Sequence, residues 1–133
     1  MVMKKLSICS IVLIGLTITS CKKYTSGTPY PVFDRKIRFQ LYTDQDFSGN
    51  TSVIRFSLYI RGTNGVLLDS ALAPMEIKDI PNAANKLVFE KAVGGTSDLA
   101  AGFRYQIDNV GTSWYIDSCK AGTYYKVVDF NFR

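Results

Sequence analysis

The residues most able to do chemistry lie between Asp44 and Asn50, in the run Asp-Gln-Asp-Phe-Ser-Gly-Asn. Asp44, Asp46 and Ser48 supply oxygens at alternate positions and Gly49 follows, which matches the opening of a calcium-binding loop. Position twelve of such a loop is Arg55 here, where a bidentate glutamate belongs, and the same residue types also build ordinary connecting loops. A second candidate is a row of arginine and tyrosine side chains. Arg38, Tyr42, Arg55, Tyr59 and Arg61, with Lys36, carry the types most frequent in binding hot spots. A solvated sheet face would carry them equally well. Cys119 is a third candidate, with only Lys120 beside it to lower a thiol pKa, and it reads best as a small core residue.

Catalysis has little to work with. The 133 residues contain no histidine, which removes the usual general acid–base and the commonest zinc ligand. No Ser-x-x-Lys, Gly-x-Ser-x-Gly or phosphate-cradling glycine loop is present. The expectation is a protein without catalytic residues and without a cofactor.

These candidates sit on segments of period two. Ile37, Phe39 and Leu41 alternate with polar residues, as do Ile54, Phe56, Leu58 and Ile60, and each set marks a strand buried on one face. Pairing these two strands antiparallel with matched faces puts Leu41 opposite Ile54. Further strands are predicted at 66–69, 73–79, 86–93, 102–108 and 124–132, with the segment carrying Trp114, Ile116 and Asp117 completing a hairpin. A four-residue loop, 109–112, in that hairpin sets Ile107 opposite Trp114, Tyr105 opposite Ile116 and Arg104 opposite Asp117, so Trp114 would pack inside. Val127, Val128, Phe130 and Phe132 change parity, which predicts a bulge and leaves the direction of Cys119 open. Seven to eight short strands with turn signals and no substantial helix predict an all-β fold, an antiparallel β-sandwich over residues 36–133. Its size resembles an immunoglobulin-like or fibronectin-III-like module, without the Cys…Trp…Cys spacing; a small barrel is the competing architecture.

The N-terminus reads as an address. Lys4 and Lys5 precede an uncharged 13-residue stretch, Leu6 to Ile18. About 20 apolar residues are needed to span a bilayer, so this is signal-peptide length. The stretch ends in Ile18-Thr19-Ser20-Cys21, followed by Lys22 and Lys23. That order resembles the lipobox of bacterial lipoproteins, and Ser20-Cys21-Lys22-Lys23 is similar to lipoproteins of the Bacteroidota. The resemblance implies cleavage before Cys21, a thioether-linked diacylglycerol on its sulfur and acylation of the new amine. Several chains on one residue make a durable membrane anchor. Lys22 in the next position implies the outer membrane, and the missing acidic stretch implies a periplasm-facing anchor. Residues 1–20 would then be the signal peptide and 21–35 the anchor and tether, with Pro29 and Pro31 keeping the tether extended. No disulfide can form within the mature chain, since Cys9 leaves with the signal and Cys21 is lipidated, so Cys119 stands alone.

The formal charge of +5 belongs to this N-terminal region. From Phe39 onward there are 9 basic and 10 acidic residues, so the domain does not read as a nucleic-acid binder. The expected function is a lipid-anchored module of the cell envelope that binds a protein or glycan. The alternative is a structural or assembly lipoprotein without a small ligand.

Overall fold

The computed structural model describes residues 34–133; the signal-peptide segment, Cys21 and the tether up to residue 33 lie outside the described residues. Eight strands form two packed sheets, a β-sandwich dominated by antiparallel pairing. They are β1 (Arg35–Tyr42), β2 (Val53–Gly62), β3 (Gly65–Ala71), β4 (Met75–Glu76), β5 (Leu87–Val93), β6 (Leu99–Ile107), β7 (Gly111–Cys119) and β8 (Tyr125–Asn131). Short 3-10 turns at Ile77–Asp79 and Ala83–Asn85 lie between β4 and β5, and Asn82 caps the second through its side-chain oxygen. One sheet has the order β5-β1-β8; the other runs β3-β2-β6-β7, with β4 paired to one end of β2.

The alternation in β1 and β2 fixes which side chains face inward. Ile37, Phe39 and Leu41 meet Ile54, Phe56, Leu58 and Ile60 in the core, together with Ala101, Phe103, Val128, Phe130 and Phe132. Aromatic rings join the layers: Phe39 meets Phe103 edge-on at 5.6 Å, and Phe130 stacks on Tyr115 at 4.5 Å. Such pairs add to the area they bury because positive ring edges meet negative faces. Ile77 and Ile80 close one end of the core.

Alternation does not say which strand is whose neighbour, and here the pairing differs from expectation. β1 and β2 lie in different sheets, so Leu41 faces Leu87 and Phe130, while Ile54 faces Met75 and Ile107. The ten residues between the two strands carry the chain from one sheet to the other. Phe47 anchors that crossing against Phe132, with ring centroids 5.6 Å apart. β1 also pairs parallel with β8, the one parallel strand pair in an otherwise antiparallel set of named strands.

The β6–β7 hairpin turns through three residues, Asp108 to Val110, instead of four. Asn109 adopts φ 62° and Gly111 φ 135°, conformations that these two residue types tolerate best, and Val110 N donates to Ile107 O at 3.1 Å. An odd loop reverses the expected parity. Trp114 therefore pairs with Arg104 on the outer face, and Tyr115 with Phe103 on the inner side. Cys119 faces inward opposite Leu99 and is 1% exposed.

In β8 the expected bulge is absent. The register with β1 runs without a break from Lys36–Tyr125 to Tyr42–Asn131, and Val127 simply points outward. A register shift occurs instead between Ile60 and Arg61, where β2 pairs with β3. The strand predicted at 73–79 shrinks to Met75–Glu76 before the chain turns, although Met75 and Ile77 are both packed on the core as expected.

Candidate functional site

Because β1 and β2 occupy different sheets, the five residues proposed as one contact surface do not form one. Arg38 and Tyr42 lie on the outer side of the β5-β1-β8 sheet, where Arg38 approaches Glu90 at 3.9 Å and Lys86 sits 4.1 Å above the Tyr42 ring. Hydrogen bonding to Tyr125 is the main cause raising the Arg38 pKa above its usual value. Arg55, Tyr59 and Arg61 lie on the outer side of the other sheet, facing the opposite way.

That second face holds the better site. Cross-strand register aligns Ser57, Arg104 and Trp114 in one row, with Ala71 beyond Ser57. The next row brings Arg55, Gln106 and Thr112 together. Above them the chain leaving β3 folds back, held by Leu72 N donating to Phe56 O at 2.8 Å. The result is an open cleft of about 370 Å³ between Leu72 and Pro74 on one side and Arg55, Arg104 and Gln106 on the other. Ser57 lies in its wall and is 7% exposed, although its position in β2 is an outward one.

Both arginines are held by carboxylates. Arg104 Nη2 donates to Asp69 at 3.0 Å and lies 3.4 Å from the Ser57 hydroxyl, while Arg55 Nη1 pairs with Asp108. Each pair presents a planar group with unused donors and acceptors, a fixed arrangement suited to a ligand rich in hydroxyls. Beside Arg104 the indole of Trp114 is 54% exposed and Ile116, two residues on, is 42% exposed. An exposed tryptophan next to a polar cleft offers a flat apolar platform at the edge of a hydrogen-bonding wall.

The strand alternation with a four-residue loop places Trp114 and Ile116 in the core and pairs Arg104 with Asp117. The three-residue loop overturns all three placements. Its signal was the Asn109-x-Gly111 spacing, two residue types suited to positive φ on either side of Val110. Tyr59 and Arg61 lie farther along β2 and do not line the cleft, with Tyr59 opposite Asp69 and Gly102, and Arg61 opposite Val66 and Ala100.

The candidate calcium residues are engaged elsewhere. Asp44 accepts from Asn131 Nδ2 at 2.8 Å and pairs with Arg133 at 3.0 Å. These contacts, led by the Asn131 hydrogen bond, hold its carboxyl below the usual aspartate value. Asp46 accepts the Ser48 backbone N–H at 3.0 Å, which lowers its pKa in the same direction. The two carboxylates thus serve the chain terminus and a local turn, and among the described residues no group of three acidic, cysteine or histidine side chains converges. Cys119 is a buried free thiol away from the cleft. Comparison with protein-family models, with curated proteins and with solved structures finds no match for this chain.

Proposed function

We propose that this chain is a lipid-anchored, non-catalytic interaction module of the cell envelope, and that the cleft lined by Arg55, Arg104 and Gln106, with the exposed Trp114 paired to Arg104 outside that lining, binds a glycan. The observation that carries the reading is the exposed indole of Trp114 beside the Arg104–Asp69 pair. The C–H face of a sugar ring stacks on an indole, while its hydroxyls accept hydrogen bonds from a guanidinium and donate to the carboxylate paired with it. The cleft of about 370 Å³ falls within the usual size of a small-ligand site.

The anchor rests on the lipobox resemblance at Cys21, with the outer membrane as the expected location. We read the sandwich as immunoglobulin-like, supported by its size and by the hairpins β2–β3 and β6–β7 lying side by side through β2 and β6. The parallel β1–β8 pair departs from a purely antiparallel scheme.

Trp114 is the single tryptophan of the chain, so its fluorescence reports on the site directly. Titrating the domain with defined oligosaccharides should shift or quench that emission saturably, and Trp114→Ala and Arg104→Ala should each abolish binding while the domain stays folded. Unchanged emission across the panel, together with stoichiometric copurification of neighbouring envelope proteins, would favour the assembly role instead. For the anchor, Cys21→Ala should eliminate lipid labelling and membrane retention. A retained variant would count against it.

A further inference from the structure

The end of the sandwich at which β1 begins gathers positive charge without partners. Arg35 pairs with Val93, Lys36 with Tyr125 and Arg61 with Ala100 there, and the β2–β3, β5–β6 and β7–β8 connections close it. Among the described residues four basic side chains form no salt bridge: Arg35, Lys36, Arg61 and Lys91. All four lie toward this end. Arg35 is turned inward, 2% exposed with Nη1 buried and unsatisfied, so it offers nothing to a partner. Lys36 and Arg61 are exposed on the outer faces of the two sheets, and Lys91 is half-buried on the edge strand β5. Of the acids without a salt bridge, Asp34 is at this end, whereas Asp46 and Asp79 lie in connections at the opposite end. Charge is thus segregated along the strand axis.

Apolar and aromatic side chains project from the same end. Val66 and Leu67, directly after the β2–β3 turn, are 55% and 53% exposed, and Tyr124 in the β7–β8 connection is 62% exposed. A Cβ on Gly62 would meet Leu67 Cδ1 at 3.3 Å and Leu99 Cδ2 at 3.5 Å, so Leu67 runs from the edge of the core to the surface. Lys36 N donates to Tyr124 O at 2.9 Å, which ties the loop bearing that ring to β1. Valine and leucine gain by leaving water, and a tyrosine ring suits the level of lipid headgroups. Lysine and arginine beside them suit anionic lipid, whose attraction decays over a Debye length of about 8 Å.

We propose that this end of the domain docks on a bilayer containing anionic phospholipid, with Val66, Leu67 and Tyr124 at headgroup level and Lys36, Arg61 and Lys91 toward the phosphates. The docking rests on the anchor read at Cys21. The 13 residues 21–33 lead into the domain at this end and reach at most about 43–47 Å, which keeps it within that distance of an acylated Cys21. The cleft of Arg55, Arg104 and Gln106 lies toward the opposite end of β2 and β6, so docking would hold it clear of the membrane.

The test uses the mature lipidated protein in phosphatidylcholine vesicles with brominated acyl chains, made with and without phosphatidylglycerol. Val66→Trp combined with Trp114→Phe puts the single indole at the docking end. Its emission should shift to the blue and be quenched when phosphatidylglycerol is present. High salt, or Lys36→Glu with Arg61→Glu, should remove both effects. Wild-type Trp114, paired with Arg104 toward the opposite end, should stay unquenched. No quenching at Val66→Trp, equal quenching without phosphatidylglycerol, or quenching of Trp114 instead would each overturn the proposal. Flotation with the vesicles reads the anchor separately. A chain that floats without quenching refutes the docking alone, and one that floats only with phosphatidylglycerol sustains the docking without the anchor. A chain that stays in solution with both kinds of vesicle refutes both. Should Val66→Trp disturb the fold, slowed amide exchange of residues 62–67 in the wild type on anionic vesicles is the second measurement, and unchanged exchange would refute the docking.

Discussion

Gly102 offers the sharpest test of the β6–β7 pairing. It sits in mid-strand opposite Tyr59 on one side and Ile116 on the other. A Cβ placed there would lie 1.8 Å from Tyr115 O and 2.9 Å from Ile116 Cα, where real Cβ atoms essentially never come closer than 3.0 Å. The obstacle is main chain, so no side-chain rotation relieves it, and β7 must draw back by more than an ångström. Ladder hydrogen bonds near 2.9 Å do not survive that opening. Overpacking costs about 1–3 kcal/mol, and losing two neighbouring ladder bonds adds about 1 kcal/mol each. Gly102→Ala should therefore destabilise by about 3–5 kcal/mol, against a total of about 5–15 kcal/mol for a domain of this size. The midpoint should fall by roughly 15–30 °C. The sign carries the argument, because replacing an ordinary strand glycine by alanine is stabilising by about 0.5–1 kcal/mol. Circular dichroism would give the midpoint, and Trp114 fluorescence would show whether β7 separates first. Gly49→Ala is the control: its Cβ meets nothing within 4 Å, so it should be neutral or slightly stabilising. A Gly102→Ala midpoint equal to or above wild type would refute the close approach.

Phe130 touches Phe56, Phe103, Tyr105 and Tyr115, so Phe130→Ala should cost about 3–5 kcal/mol in denaturant unfolding; a loss below about 1 kcal/mol would contradict its central place. Asp44, Asp46 and Asp98 all have folded pKa values below the ordinary 3.8. The stability they contribute is complete above that unfolded value and is lost as pH falls through the lower folded values. The denaturant midpoint should thus decline on the acid side of about pH 4, and Asp98→Asn, which removes the titrating charge and the ion pair with Lys120 while its amide oxygen can still accept from Ala121 N, should flatten that decline. An unchanged acid limb would show that these contacts contribute nothing. Cys119, at 1% exposure, should react with a thiol reagent only at the rate of unfolding, and fast labelling of the native domain would show that the β6–β7 end opens.

Legibility followed physical range. Period-two alternation is a local consequence of the pleat, so the inward rows of β1, β2 and most of β6 were visible in the residues themselves. Val127 illustrates the limit: a valine can stand in water, and reading it as inward produced a bulge that does not exist. The cleft was half visible. Arg55 was marked by type and Arg104 by its outward place in the alternation, but Trp114 was hidden by a parity that one loop residue reverses. Arg35 looked like part of a charged tether, and nothing local distinguishes a solvated arginine from one drawn into the end of a sandwich.

The sequence alone determined the all-β class, the identity of most core side chains and the concentration of positive charge before Phe39. Each follows from side-chain polarity and strand period, which need no partner. Only the tertiary structure decided that β1 and β2 part company, that Trp114 faces outward beside Arg104, and that Arg35 is buried with one nitrogen unsatisfied. Those outcomes depend on which distant strands meet: β1 with β5 and β8, and β2 with β6. Such pairings are set by the summed fit of two whole faces, a quantity that no short window of the chain contains.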